Sequence, residues 1–123
     1  MKFYRGDKSK DFTIENKLSR YNLPCLFFSN SIELAKKYQD YFNGYLYDCE
    51  IFNISKTIDF DNKITYSSEF RNLILKLALE NHQSVLIKNC IDYPSDVSNM
   101  VCADILVVFD FDIIKNLKLI HSD

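Results

Sequence analysis

The chain has 123 residues, 47% of them hydrophobic, with ten Phe and eight Tyr, and its 15 basic and 17 acidic residues leave a net charge of −2. That length and apolar content suit a single domain over residues 1–123 and argue against intrinsic disorder. Acidic and basic residues are interspersed, so nothing marks a surface for a nucleic-acid backbone or an anionic membrane, and neither is indicated as a partner.

In chain order, Lys2 to Arg5 is apolar and aromatic and ends at Gly6-Asp7, which predicts an opening strand and turn. Residues 8–22 are polar, with a short helix expected over Thr13 to Arg20. Pro24 introduces Cys25-Leu26-Phe27-Phe28, a short buried strand. Ser29-Asn30-Ser31 supplies N-cap candidates for a helix whose apolar positions run from Ile32 to Phe42 and which Asn43-Gly44 stops. Tyr45 to Phe52 reads as a strand and residues 53–67 as a mixed loop, in which Asp59-Phe60-Asp61-Asn62 lacks the glycine and terminal Glu of a calcium loop and is a turn. The clearest helix starts at Ser68, capped by Ser67 or Ser68, and ends near Asn81, with Phe70, Leu73, Ile74, Leu77 and Ala78 on one face. Ser84 to Lys88 and Ile105 to Phe109 are apolar strands separated by a loop from Cys90 to Ala103. A short helix over Phe111 to Asn116 is expected before Leu117-Lys118-Leu119-Ile120. Strands at both ends with helices between them fit an α+β fold.

Cys25, Cys49, Cys90 and Cys102 show no C-x-x-C pair and no metal-type spacing, and each adjoins an apolar run. Buried, reduced thiols are expected, hence a reducing compartment. The N-terminus has no apolar stretch of the signal-peptide kind, and the run from Ile105 to Phe109 is too short to span a bilayer. The expectation is a cytoplasmic protein with no membrane partner. His82 and His121 are isolated, which disfavours a zinc site, and no triad is discernible. Gly6 and Gly44 are the only glycines, so the glycine-rich loops of P-loop and Rossmann proteins are absent, and any nucleotide must be held differently.

Three pieces carry the functional reading. Tyr4-Arg5-Gly6 closes the first strand; Leu26-Phe27-Phe28-Ser29 runs into a helix containing Ala35-Lys36-Lys37-Tyr38; and Ser84 to Asp92 precedes Ala103-Asp104 and the strand Leu106 to Asp110, with Ile114-Lys115 beyond it. In this order and spacing they resemble the ADP-ribosyltransferase superfamily, and within it the small phage- and toxin-associated domains of polyvalent proteins, over nearly the whole chain. The resemblance implies a compact split β-sheet core with two or three helices. It also implies NAD as substrate, and mono-ADP-ribosyl transfer to a macromolecular target, a protein foremost, as in a phage or bacterial effector, toxin or defence inhibitor.

By the same resemblance Tyr4, Arg5 and Gly6 bind NAD. Arg5 offers a fixed guanidinium to the pyrophosphate or ribose, and Gly6 lets the main chain approach the nicotinamide amide. Ser29 buttresses the site and Tyr38 stacks on the nicotinamide ring. The family places a Glu at the start of the last-named strand; here Asp104 is the nearest carboxylate, one methylene shorter, and it takes the catalytic role. Asp92 and Asp96 are alternatives, with Glu69 and Arg71 more distant ones. Each residue alone has a plainer reading: a solvated turn for Arg5-Gly6, a helix cap for Ser29, a core aromatic for Tyr38 and a strand-start cap for Asp104. Two rivals follow: a degenerate member of the fold that works by binding, and an interaction domain presenting Tyr4, Tyr38, Tyr45 and Tyr47.

Overall fold

The computed structural model describes residues 1–10, 19 and 21–120, apart from the side chain of Val97; the helix expected over Thr13 to Arg20 lies outside the described residues. The elements run β1 (Lys2–Asp7), β2 (Leu26–Ser29), α1 (Ile32–Phe42), β3 (Tyr45–Glu50), β4 (Lys56–Ile64), α2 (Ser68–Leu79), β5 (Ser84–Asp92), β6 (Val101–Val108) and β7 (Lys115–Ile120). They form an α+β fold with one seven-stranded mixed sheet in the order β4-β5-β6-β2-β1-β3-β7. No helix among the described residues is long and apolar enough to cross a membrane.

The helices follow from their ends. Ser31 Oγ accepts from the Leu34 N–H at 3.1 Å, and Asn43 closes α1 in the left-handed region at φ 50°. Ser67 caps α2 by accepting from the Phe70 N–H at 3.2 Å. β4 and β5 pair in parallel, and α2 supplies the crossover that such a pair requires.

Each face of the sheet carries a core. Leu34 of α1 and Phe70, Ile74 and Leu77 of α2 pack with Phe60, Val85, Ile87, Ile105 and Val107. On the other face Phe3, Tyr47 and Cys49 of the β1–β3 region meet Leu26, Phe28, Leu86, Leu106 and Val108 of the β2–β5–β6 region. Leu26 and Phe28 therefore face one way and Phe27 the other, as a pleated strand dictates.

Four sequence expectations are corrected. Residues 53–67 contain strand β4: Ile58 and Phe60 reach the core, but Asp61 and Asn62 sit at positive φ (55° and 59°) and interrupt the alternation, so that the expected turn is a bulge inside a strand. The expected loop from Cys90 to Ala103 shrinks to residues 93–100, because Cys90-Ile91-Asp92 pairs with Val101-Cys102-Ala103. Phe111–Ile113 is a single tight turn capped by Asp110, and the chain then enters β7, whose Leu117 and Leu119 pack against the second core. Cys25, Cys49 and Cys90 are buried thiols, and burial pushes the latter two up to about 12; Cys102, expected to be buried, is exposed.

Candidate functional site

The sheet is thinnest between β1 and β2. Tyr4 and Ser29 form the one residue pair there, against six pairs between β1 and β3 and four between β2 and β6. A cavity of about 220 Å³ opens at this joint. Tyr4, Arg5 and Gly6 line it from β1 and Leu26 to Ser29 from β2; Leu34, Ala35, Tyr38 and Phe42 come from α1, Phe70 from α2, Asp92 from the end of β5 and Ile105 from β6. The five residues for which the resemblance implies NAD binding thus share one concavity.

Arg5 ties the joint together. Its Nη1 donates to the Phe27 carbonyl at 2.8 Å, across the gap where strand pairing is sparse. Its Nε and Nη2 both lie 3.0 Å from Asp7 Oδ2, and Asp7, 2% exposed, also accepts from the Ser9 N–H. The guanidinium is therefore oriented by a buried counter-charge.

Gly6 has a use in packing as well as the one expected of it. A Cβ at this position would lie 2.3 Å from the Ala35 carbonyl oxygen and 2.5 Å from the Gln39 nitrogen, both backbone atoms of α1. The missing side chain lets the helix dock on β1, and the cavity wall forms as a consequence. Ser29 likewise acts locally, since it is 5% exposed and its Oγ accepts from the Ser31 N–H at 3.0 Å, while Ser31 is the helix cap.

The cavity has one polar end. Tyr38 Oη donates to Asp92 Oδ2 at 2.9 Å, and Thr65 Oγ1 donates to Asp92 Oδ1 at 2.6 Å. The Tyr66 hydroxyl lies 3.2 Å from that of Tyr38. Burial, then the Asp92 charge, holds the Tyr38 hydroxyl far above its ordinary range, so it stays protonated and serves as a donor. The rest of the wall is largely apolar, with Phe27, Phe42 and Phe70 contributing rings.

Asp104 is not part of this wall. It follows Ala103 and precedes Ile105, whose side chains join the helix-side core, so pleating turns it to the opposite face with Leu106. There Oδ1 accepts from the Asn89 N–H at 3.0 Å and Oδ2 from Asn30 Nδ2 at 3.2 Å. Of the alternatives, Asp96 is exposed and accepts from the Ser98 N–H, Glu69 pairs with Lys63 at the surface, and Arg71 is exposed. None of the three lines the cavity, and Asp92 is the sole acidic residue among the described residues that do.

Phe27, Thr65 and Phe70 were not singled out from sequence. Period-two alternation from Cys25 would have placed Phe27 on the face of Ser29, but Thr65 carries no local signal. Comparison with known proteins found no family model that matches the chain and no curated protein or solved structure similar to it.

Proposed function

We propose that the chain binds NAD in this cavity and acts as a mono-ADP-ribosyltransferase on a macromolecular target, a protein foremost. The observation that carries the reading is the convergence of Tyr4, Arg5, Gly6, Ser29 and Tyr38, to which the resemblance gives NAD binding, on one cavity at the β1–β2 joint. The cavity is smaller than the roughly 300–1,000 Å³ of typical ligand pockets, so it suits the nicotinamide end of NAD, with the remainder of the molecule outside it. Arg5 is preset for phosphate or ribose oxygens, and Tyr38 stands at the wall where a ring would lie.

Transfer breaks the bond between nicotinamide and ribose and develops positive charge on the ribose, which a nearby carboxylate stabilises. Asp92 is the carboxylate this cavity offers, and it takes the role that the resemblance gives Asp104. The orientation of Asp104 favours a second reading as well: a domain that binds NAD or a partner without turnover, its family carboxylate turned elsewhere.

Thermal unfolding with and without NAD tests binding. At a hundred times its Kd a ligand adds about 2.7 kcal/mol of stability, and no shift at millimolar NAD would remove the NAD reading. Nicotinamide release then separates enzyme from binder. Release by the wild type that is lost in Asp92→Asn and kept in Asp104→Asn assigns the carboxylate to Asp92; the reverse pattern restores Asp104. Binding without release selects the second reading.

A further inference from the structure

We propose that Thr65 is a positioning residue of the transfer: its buried hydroxyl, set opposite that of Tyr38, fixes the plane of the Asp92 carboxylate at the cavity wall. The inference rests on the reading of Asp92 as the carboxylate that faces the ribose, and it adds the group that holds it there.

A carboxylate needs such a hold. Its terminal torsion is broad, so a single hydrogen bond leaves the plane free to turn. Asp92 has one bond on each oxygen, Oδ1 accepting from Thr65 Oγ1 at 2.6 Å and Oδ2 from Tyr38 Oη at 2.9 Å. The two hydroxyls are not equally committed. That of Tyr38 also lies 3.2 Å from the Tyr66 hydroxyl, which is a second partner for it. Thr65 is 1% exposed, so its hydroxyl is buried from water.

Thr65 is itself set by the chain around it. It stands between β4 and α2, and its N–H donates at 3.0 Å to the carbonyl of Ile91, the residue before Asp92. Its carbonyl accepts from the Ser67 N–H at 2.9 Å, and Ser67 caps α2 while its Oγ donates to the Ile64 carbonyl at 2.9 Å. Both backbone polar groups of Thr65 are thus tied, and a β-branched side chain has few χ1 positions to choose from. The hydroxyl is held against the strand end that carries Asp92 before any ligand arrives, as preorganisation requires.

In the transfer the electron pair of the nicotinamide–ribose bond leaves with nicotinamide, which becomes neutral. The ribose carbon left positive takes an electron pair from the acceptor, whose proton passes to water. The charge to be stabilised is local, so the direction of the carboxylate matters as much as its presence.

Steady-state nicotinamide release by the wild type, Thr65→Val and Thr65→Ser provides the test, with Asp92→Asn alongside. Valine keeps the branched shape without the hydroxyl; serine keeps the hydroxyl without the methyl group. Thr65→Val is expected to lower kcat by about tenfold or more, as misplacement by about 1 Å can cost a hundredfold. KM should stay unchanged, the mark of an interaction made in the transition state. Thr65→Ser should recover most of the loss, whereas a packing role alone would leave serine the slower of the two. Wild-type kcat in Thr65→Val, a loss carried by KM, or serine slower than valine overturns the proposal. Should Thr65→Val not fold, Thr65→Cys replaces it, since a thiol matches serine in shape and is a weak donor; equal rates for serine and cysteine then overturn the role. Release lost in Asp92→Asn and kept in Thr65→Val sinks the positioning role alone. Release that survives Asp92→Asn, or none by the wild type, removes the Asp92 or the transferase reading and this role with it.

Discussion

The β5–β6 hairpin and the β1–β2 joint are both antiparallel contacts in one sheet, yet they hold in different ways. Seven residue pairs join β5 to β6, and the apolar side chains of Ile105, Leu106 and Val107 fill cores on both faces. One pair joins β1 to β2, and there side chains replace the ladder: Arg5 bonds the Phe27 carbonyl, and α1 lies against Gly6. Where backbone pairing is dense, apolar side chains close over both faces. Where it stops, polar groups are positioned by side chains and a cavity remains. The candidate site lies at the least paired contact in the sheet, which is also where single substitutions should reach function most directly.

The largest effect is expected at Gly6. In Gly6→Ala the new Cβ meets two backbone atoms of α1 at 2.3 and 2.5 Å, and neither can rotate away. The helix must lift from β1, at a cost of about 3 kcal/mol, the upper end of ordinary overpacking penalties. Urea unfolding measures this directly. Because α1 also carries Tyr38, any NAD-dependent stabilisation should fall in the same variant. A cost below about 1 kcal/mol, at the low end for overpacking, would mean that α1 is not seated on Gly6 and that the joint is looser than its packing implies.

Why was so much of the helical architecture legible and so little of the edges? Ser31, Asn43 and Ser67 are local signals, and each does at the helix end what its side-chain chemistry predicts. β4 and β7 are the two edge strands, β4 exposed at seven of its nine residues and β7 at three of six, and positive-φ residues (Asp61, Asn62 and Asn116) fall within them. Edge strands show a short alternation mixed with charges, which sequence alone does not separate from loop. The cavity was readable as a set of spaced residues. The facing of Asp104 was not, because β6 is buried on both sides over Ile105 to Val108 and so shows no apolar–polar alternation from which to count. Asp92 was placed in a loop, whereas it ends a strand whose last pairs become visible only with the register of β6.

An intermediate effect is expected from Asp7→Asn. The substitution keeps the shape but removes the counter-charge that orients Arg5. Breaking a fully buried pair costs about 3–5 kcal/mol; with the Arg5 side chain 17% exposed, water recovers part of that, and about 2 kcal/mol is expected. A double-mutant cycle with Arg5→Met isolates the coupling. Coupling below about 0.5 kcal/mol, the range of exposed ion pairs, would show that Asp7 contributes little to positioning the guanidinium. Within the comparison of the two contacts, a strong coupling means the joint depends on electrostatics where the hairpin depends on its ladder.

The smallest effect sharpens the contrast most. Asp104 lies in the well-paired hairpin, where its Oδ1 accepts the N–H of Asn89, a residue at φ 59° beside the irregularity between Ile87 and Cys90. A non-glycine residue in the left-handed region needs local support, and this hydrogen bond supplies it. Asn89 Nδ2 in turn donates to Asp59 of β4, so the carboxylate belongs to a network that carries the bulge across three strands. Asp104→Ala should therefore cost about 1 kcal/mol, the usual net value of one such hydrogen bond, and should lower the urea midpoint slightly. NAD-dependent stabilisation should be unaffected, because the side chain faces away from the cavity. If instead the NAD shift disappears while stability barely changes, the ligand reaches the opposite face of β6. The site would then extend through the β1–β2 joint rather than end at Asp92.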